Sequence, residues 1–198
     1  AINISDIASC GGRPKHCLVS LGIPKNKNVE FTDKLCKGMI AIAKKYNINI
    51  VGGDISRARD LTIDVSMLGF TEKENLVLRS GAIREDMIFI SGGIGGSVKG
   101  KHLTFTPRLK EARYLVEHFK VNAMIDISDG LIQDLGHILE ESRVGALLYE
   151  DLIPLNKDVH SLNDALYSGE DFELLFTMPQ PQARKLFNRT HILFKPIG

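Results

Sequence analysis

The sequence has little charge imbalance and no long apolar run. Its 198 residues include 25 lysine and arginine residues against 24 aspartate and glutamate residues, which leaves a formal net charge of +1. A balance this even predicts neither a nucleic-acid partner nor a membrane partner. No apolar stretch approaches the roughly 20 residues that a membrane-spanning helix needs. The first residues, Ala1 to Ser5, lack the basic and apolar regions of a signal peptide.

Cysteine is also scarce, and no histidine pattern typical of a metal site is present. The three cysteines, Cys10, Cys17 and Cys36, are odd in number and have no metal-ligand spacing. This favours reduced thiols and a cytoplasmic location. The six histidines show no zinc spacing, and no nucleophile-elbow motif occurs. These absences argue against a zinc protein and against a serine hydrolase.

A glycine-rich stretch at 91–97 comes close to a phosphate-binding loop without matching it. Gly95, Gly100 and Lys101 fit the first seven positions of a P-loop. The eighth position holds His102, where a serine or threonine should bind magnesium. The motif is therefore a near miss, which leaves a flexible turn and a phosphate contact as open alternatives.

What the sequence does contain is a regular alternation of strand and helix patterns. Hydrophobic residues make up 43% of the chain, enough for a proper core. Strands are predicted at 17–21, 48–51, 61–68, 87–90, 121–125, 146–149, 172–177 and 191–194, and helices at 5–12, 35–47, 107–119, 131–145, 162–167 and 180–187. This alternation predicts an α/β or α+β class with mixed sheets. The polar stretch 71–75 predicts a boundary between an N-terminal domain, 1–75, and a C-terminal domain, 76–198.

The most informative stretch is the corner from Asp126 to Leu131, with the sequence Asp-Ile-Ser-Asp-Gly-Leu. A buried strand precedes it and helical spacing follows it, so two carboxylates and a hydroxyl lie where a helix begins. Such a corner can hold phosphate through open N–H groups and metal through carboxylate oxygens. The alternative is that Ser128 or Asp129 only caps the helix.

Other acidic residues lie at similar glycine- or serine-containing stretches. Gly52-Gly53-Asp54 and the stretch 168–171 are predicted as a second and a third acidic corner. The acidic set comprises Asp6, Asp54, Asp126, Asp129, Glu170 and Asp171. Together these residues suggest hard-oxygen ligands that converge on magnesium and a polyphosphate. Arg79 is the natural cation for phosphate oxygens, whereas Glu173, inside the following strand, is predicted to be structural.

Five blocks of sequence carry a resemblance to a known family. They are Ser5-Asp6-Ile7-Ala8, Gly52-Gly53-Asp54, Leu78-Arg79-Ser80-Gly81-Ala82, the corner 126–131, and Gly169-Glu170-Asp171-Phe172-Glu173-Leu174-Leu175. In order and character they resemble the thiamine-monophosphate kinase family. That family belongs to the superfamily of aminoimidazole-ribonucleotide synthetase and selenophosphate synthetase. The resemblance covers essentially the whole chain.

The resemblance implies a fold, a reaction and a set of site residues. The fold would be a two-domain synthetase-superfamily fold, with an N-terminal α/β domain that dimerises through its sheet and a C-terminal α/β domain with a mixed sheet. The reaction would be magnesium- and ATP-dependent phosphorylation of thiamine monophosphate to thiamine diphosphate by direct in-line transfer. The implied magnesium ligands are Asp6, Asp54, Asp126 and Asp129, the implied ATP contacts are Gly53, Asp54, Arg79 and Ser128, and the implied substrate contact is Glu170.

The chain also departs from the family pattern. The family has an earlier segment with an Asp-Thr or Thr-Asp motif and a substrate-contacting histidine, and it continues past Gly198 to an aromatic that stacks on the substrate. The chain is therefore expected to be a fragment, or a chain whose ends are not covered. The alternatives are another ATP-dependent enzyme of the superfamily acting on a small phosphate or amide, or a non-catalytic nucleotide-binding or dimerisation module.

Overall fold

The structure is a computed structural model that describes residues 1–157, 159, 161–189 and 194–198. The helices are α1 (Ile2–Ser9), α2 (Val29–Lys45), α3 (Lys101–Thr104), α4 (Leu109–His118), α5 (Leu131–Ser142), α6 (Leu162–Tyr167) and α7 (Gln180–Arg189). The strands are β1 (Arg13–Pro24), β2 (Asn49–Ala58), β3 (Thr62–Phe70), β4 (Met87–Ile90), β5 (Ala123–Asp126), β6 (Leu174–Met178) and β7 (Lys195–Pro196). The predicted α/β class is confirmed. No helix of the described residues is both long and apolar enough to cross a membrane.

The chain divides into two compact units, and each is described by itself. The first unit contains residues 13–70 together with Ala1 and Asn3. The second contains Ile2, residues 4–12 and residues 71–198, so most of α1 belongs to it. The proposed domain limits of 1–75 and 76–198 stay a prediction.

In the first unit, one helix connects two parallel strands of a sheet with the order β2-β1-β3. β1 and β2 are parallel, as expected when a helix such as α2 forms the crossover, and β3 pairs with β1 in the antiparallel direction that its alternation predicts. α2 begins after Asn28, whose side chain accepts the Phe31 N–H at 3.0 Å. Along β1, Cys17 and Leu21 are buried while Leu18 and Ser20 are exposed, because successive side chains point to opposite faces.

The predicted corner at Gly52-Gly53-Asp54 is wrong, since these residues lie in the middle of β2. The parallel pairing with β1 continues through them, with Val19 opposite Gly53 and Ser20 opposite Asp54. A Cβ atom on Gly53 would lie 1.8 Å from the Val19 carbonyl oxygen. Gly53 therefore allows the neighbouring strand β1 to come close to its backbone. The sequence had suggested instead that a ligand comes close to the backbone here.

The second unit contains a sheet with the order β5-β6-β4-β7, in which every pair among the described strands is antiparallel. Both faces of this sheet carry a buried apolar cluster. One cluster includes Phe89, Met124 and Phe176 and is covered by residues of α4 and α7. The other includes Ile125 and Leu175 and is covered by residues of α5 and α6. Helices therefore cover both faces of the sheet in which β5 ends at Asp126.

Another predicted strand is wrong, and the limits of several others differ from the structure. Residues 146–149 form no strand; the Tyr149 N–H makes a single hydrogen bond to the Ile197 carbonyl at 2.8 Å. The apolar pattern there reflects packing, since Leu148 lies against the α5 side of the core. Of the predicted strand 191–194, residues 191–193 lie outside the described residues. The strand predicted at 172–177 begins two residues later, at Leu174.

Candidate functional site

The corner between β5 and α5 is confirmed, since β5 ends at Asp126 and α5 begins at Leu131. The helix cap is different from the predicted alternative. Gly130 occupies the cap position with a φ of 122° and makes no side-chain cap bond. Instead Asp134 Oδ2 accepts the N–H groups of Ser128, Asp129 and Gly130 at 2.9, 3.0 and 3.2 Å. One buried carboxylate therefore shapes the loop, and the side chains of Ser128 and Asp129 are not needed as caps.

Sequence reasoning missed Asp134. Its position in the first turn of α5 was a usable signal, because acidic side chains are favoured near helix N-termini, where open N–H groups are available. Burial raises the pKa of Asp134, and its hydrogen bonds from the Asp129, Ser128 and Gly130 N–H groups oppose that effect.

At the end of β5, Asp126 is buried and incompletely satisfied. Asp126 is only 4% exposed, and its Oδ2 atom has no hydrogen-bond partner among the described residues. Burial raises its pKa to about 6; the nearby Ser5 side chain lowers it and the negative charge of Asp6 raises it further. An orphan carboxylate oxygen at a buried site is costly unless a cation or proton neutralises it.

Two more candidate residues belong to the same electrostatic neighbourhood. Asp6 lies on α1, where partial burial raises its pKa and the charge of Arg79 lowers it. The structure thus brings Asp6, Asp126 and Arg79 together within the second unit, although they are far apart in sequence. Two carboxylates, one with an unpaired buried oxygen, fit a hard divalent cation such as Mg²⁺.

The loop 168–172 lies directly against the Asp126–Leu131 corner. The Glu170 N–H donates to the Ser128 carbonyl and the Phe172 N–H to the Ile127 carbonyl, both at 2.8 Å. A Cβ atom on Gly169 would lie 2.1 Å from the Ser128 carbonyl oxygen, so only glycine fits there. The structure therefore places the backbone of Glu170 beside that of Ser128, while a common binding role for the acidic residues stays a prediction.

Asp171 has a different surrounding from the other acidic candidates. It is fully buried and accepts the Gly95 N–H, at 3.0 and 2.9 Å for its two oxygens, and the Ser97 hydroxyl. Burial raises its pKa, and the bonds from Ser97 and Gly95 lower it. Both carboxylate oxygens of Asp171 bind the glycine-rich turn, so the geometry indicates a structural role for Asp171.

The glycine-rich turn itself is held on several sides. Lys101 Nζ donates to the Gly93 carbonyl at 2.8 Å and to Glu173 Oε1 at 3.1 Å. The Asn156 side chain donates to the Gly95 carbonyl at 2.8 Å. Because the lysine of the near-miss motif already binds protein groups, this arrangement does not present it to a phosphate.

In the first unit, Asp54 is exposed on β2 and accepts the Ser56 hydroxyl. The strand register puts Asp54 and Asp64 on either side of Ser20, and directly opposite residues share a face of the sheet. Asp64 was not singled out from the sequence, although the alternation of β3 puts it on the face opposite to that of Ile63 and Val65. Gly53 points to the other face, beside Val19.

The structure also brings Asp129 together with two residues that were not predicted as ligands. One ligand atom from each of Asp129, Asp134 and His137 lies within 4.8 Å of the others. Helical spacing explains the approach of Asp134 and His137, which are three residues apart on α5. The group overlaps the corner described above, and Asp134 Oδ2 is engaged by backbone N–H groups there.

Comparison with known proteins identifies the family of the chain. The N-terminal domain model of the AIR synthase related proteins matches residues 1–71, and the C-terminal domain model matches residues 67–198. The fold is thus that of an AIR synthase related protein, a class whose two domain models together match the chain from residue 1 to residue 198.

Within that class the relatives are more specific. A thiamine-monophosphate kinase of Rhodopirellula baltica is 38% identical over 193 residues, which cover 92% of this chain and 60% of the relative. One of Bacillus subtilis is 34% identical and covers 100% of this chain and 69% of the relative. A solved structure, AaThiL complexed with AMPPCP and TMP, matches with a TM-score of 0.89 at 28% identity and covers 100% of this chain and 71% of that one. The chain belongs to the thiamine-monophosphate kinase family, and it spans less than two thirds of the length of the R. baltica relative.

Proposed function

We propose that the protein carrying this chain phosphorylates thiamine monophosphate to thiamine diphosphate with ATP. The observation that carries the proposal is the buried, unpaired oxygen of Asp126 near Asp6, which in turn lies near Arg79. It lies on the corner whose loop is hydrogen-bonded to the one bearing Glu170. The names of the relatives and the AMPPCP and TMP complex of the solved neighbour support this reaction.

Magnesium is the cation that suits this chemistry. Asp6 and Asp126 of the second unit would hold it, and Asp129 and Asp54 stay predicted ligands. When bound, Mg²⁺ neutralises negative charge on the phosphate oxygens during transfer. The fit rests on the orphan carboxylate oxygen at Asp126 and on the all-oxygen donor set.

The remaining candidates are assigned to the two substrates. Arg79 offers a planar fork of N–H donors for ATP phosphate oxygens, and Ser128 would also contact ATP. Gly53 of the first unit stays a predicted ATP contact. Glu170 would contact thiamine monophosphate. Cys10 shares the neighbourhood of Asp6 and Asp126, but burial raises the pKa of its thiol, which disfavours the thiolate needed for nucleophilic attack. Direct transfer, without a covalent enzyme intermediate, suits this set of residues.

Two further expectations accompany the proposal. Homodimerisation through the first sheet stays a prediction; the sheet exposes large apolar side chains on one face, with Leu68 and Phe70 67% and 63% exposed. The alternation of β3 puts both on the face that also carries Leu18. A cytoplasmic location is likewise an expectation, based on the free cysteines.

The proposed function is tested most directly at Asp129. Asp129→Asn removes a candidate ligand that is exposed and whose carboxylate accepts a hydrogen bond from the Gln133 side chain at 3.2 Å. We expect kcat for thiamine diphosphate formation to fall by about 10² to 10⁴. The free energy of unfolding should change by no more than about 0.5 kcal/mol, as for an ordinary surface substitution.

The measurement is thiamine diphosphate formation at several magnesium concentrations, using the longest natural form of the protein. Asp151→Asn, at another exposed aspartate of the second unit, is the matched control and should leave turnover unchanged. Near-normal turnover and an unaltered magnesium dependence in Asp129→Asn would contradict the assignment. Binding of AMPPCP without any turnover in the unaltered protein would favour a nucleotide-binding module instead.

A further inference from the structure

Three consecutive residues of the second unit each hold a different part of the segment 91–108. Asp171 binds Gly95 and Ser97, as described above. The Phe172 ring stacks on the Phe105 ring, with centroids 4.3 Å apart and planes 19° from parallel. Glu173 binds residues at both ends of the segment. The glycine-rich turn and the residues that lead into α4 are therefore attached to one short stretch of chain.

Glu173 makes the most extensive of these contacts. It is 1% exposed, and Arg108 reaches it with two N–H groups, Nε to Oε2 at 2.7 Å and Nη2 to Oε1 at 2.8 Å. Lys101 Nζ adds a contact of 3.1 Å, and the Ser91 hydroxyl donates to Oε2 at 2.7 Å. Burial alone would raise the pKa of Glu173, but Arg108 and Lys101 hold it below its ordinary value.

The stretch held in this way has an unusual backbone. Glu170 and Phe172 adopt φ values of 66° and 52°, a region that side-chain-bearing residues rarely occupy. Such conformations persist only where the surroundings hold them, and they occur preferentially at functional sites. Here the surroundings are the contacts of Asp171, Phe172 and Glu173, together with the two backbone bonds to Ile127 and Ser128.

We propose that Glu173, with Arg108 as its partner, is a positioning residue for substrate recognition. It maintains the strained backbone that presents Glu170 next to the Ser128 carbonyl. The proposal rests on the proposed function in one respect, the assignment of Glu170 to the thiamine substrate. Neither Glu173 nor Arg108 needs to touch the substrate for this effect.

Stability alone is a weak explanation for this ion pair. Replacing a buried salt bridge by well-packed apolar residues is often neutral or stabilising, because desolvation offsets the charge attraction. A bidentate arginine does, however, fix geometry, since its planar fork allows one orientation of the carboxylate. The bidentate Arg108–Glu173 pair is therefore better explained by fixing the geometry of the backbone than by stabilising the fold.

The test is Arg108→Lys, which keeps the charge and removes the fork. Arg113→Lys is the matched control, because Arg113 is another arginine of the second unit that pairs with carboxylates, those of Glu72 and Glu117 at 2.8 and 2.6 Å. The first readout is amide hydrogen exchange in the 198-residue chain. We expect the Glu170 and Phe172 amides to exchange at least about tenfold faster in Arg108→Lys, with smaller changes in β6, because local opening exposes only the loosened segment. Arg113→Lys should leave these two amides unchanged.

The second readout is ligand affinity in the longest natural form of the protein. Arg108→Lys should weaken thiamine monophosphate binding by about tenfold and AMPPCP binding by less than about twofold, as expected when only one ligand depends on the loosened stretch. Lys101→Met, which removes one of the two cations, should show the same selectivity to a smaller degree. This variant keeps the test valid if Arg108→Lys folds poorly.

The outcomes separate the two proposals. If the Glu170 and Phe172 amides exchange as slowly in the variants as in the unaltered chain, or if both ligands lose affinity equally, the positioning role is overturned. If the exchange becomes faster but the unaltered protein neither binds nor phosphorylates thiamine monophosphate, the proposed function fails. In that case the exchange data alone would support the role of Glu173 in holding the backbone of residues 170–172.

Discussion

The sheets of the two units bury their strands to opposite degrees. Every residue of β5 and β6 is buried, whereas no residue of β2 is. The second sheet has an apolar cluster on each face. In the first sheet, residues as large as Leu68 and Phe70 remain mostly exposed.

This difference decides the properties of acidic residues that look alike in the sequence. Asp126 ends a fully buried strand, so it loses solvent and its pKa rises. Asp54 follows two glycines in an exposed strand and keeps its contact with water. The chemistry of a carboxylate is therefore set by the sheet that carries it more than by its neighbours in sequence.

The largest expected effect tests the burial difference itself. Leu174→Ala, in β6, removes a side chain that is 0% exposed, and we expect it to lower the free energy of unfolding by about 2 to 5 kcal/mol. Leu68→Ala, in β3, removes the same atoms from a side chain that is 67% exposed and should change the free energy of unfolding of the monomeric chain by no more than about 0.5 kcal/mol. Urea unfolding of both variants measures this contrast, and equal losses would show that the first sheet is buried in solution.

The next effect concerns the pH dependence of stability. The pKa of Asp126 is about 6 in the folded chain against an ordinary value of 3.8, so between these values the folded state binds more protons than the unfolded state. Its contribution to stability is therefore fully present below pH 3.8 and is lost as the pH rises through about 6. Asp126→Asn should thus stabilise the metal-free chain near pH 7 by about 2 to 3 kcal/mol.

Unfolding in the presence of a chelator, from pH 4 to pH 8, measures this effect. Asp54→Asn is the control in the exposed strand, where we expect a change within about 0.5 kcal/mol. A pH profile for Asp126→Asn that keeps the slope of the unaltered chain would show that another group produces it.

The smallest expected effect is on ligand affinity and compares an arginine of the second unit with one of the first. Arg79→Lys keeps the positive charge beside Asp6 and loses the fork geometry, so ATP binding should weaken about tenfold, or about 1.4 kcal/mol. Thiamine monophosphate binding should change little. Arg57→Lys, on exposed β2, is the control and should affect neither ligand. Titration calorimetry with both ligands is the measurement, and equal losses for the two would instead indicate a structural arginine at position 79.

Much of the local structure could be predicted from the sequence. The strand 87–90 and the helix 162–167 have the predicted limits, and the corner at Asp126 lies where a buried strand changes to helical spacing. Short-range patterns suffice there because the period of the apolar residues decides the element. The roles of Asp6, Asp54, Arg79, Ser128, Asp129 and Glu170 in binding stay predictions.

The errors share a physical cause. Gly52-Gly53-Asp54 has the composition of a ligand-binding corner, yet pairing with β1 extends the strand through it. The cap at Ser128 or Asp129 is replaced by Asp134, whose carboxylate serves three N–H groups at once. In both places a local preference competes with a stronger contact that becomes available only when the chain has folded.

The sequence by itself determined the alternation of strands and helices, the acidic strand end and the family to which the chain belongs. Tertiary structure alone decided which carboxylates are buried and what each of them binds. Glu173 meets Arg108 across 65 positions of the chain, and Asp126 acquires its raised pKa from burial by elements distant in sequence. The period of the apolar residues indicates on which face of its own helix or strand a residue lies. The protonation and ion pairing of a side chain depend instead on the solvent and charges around it, which the whole fold decides.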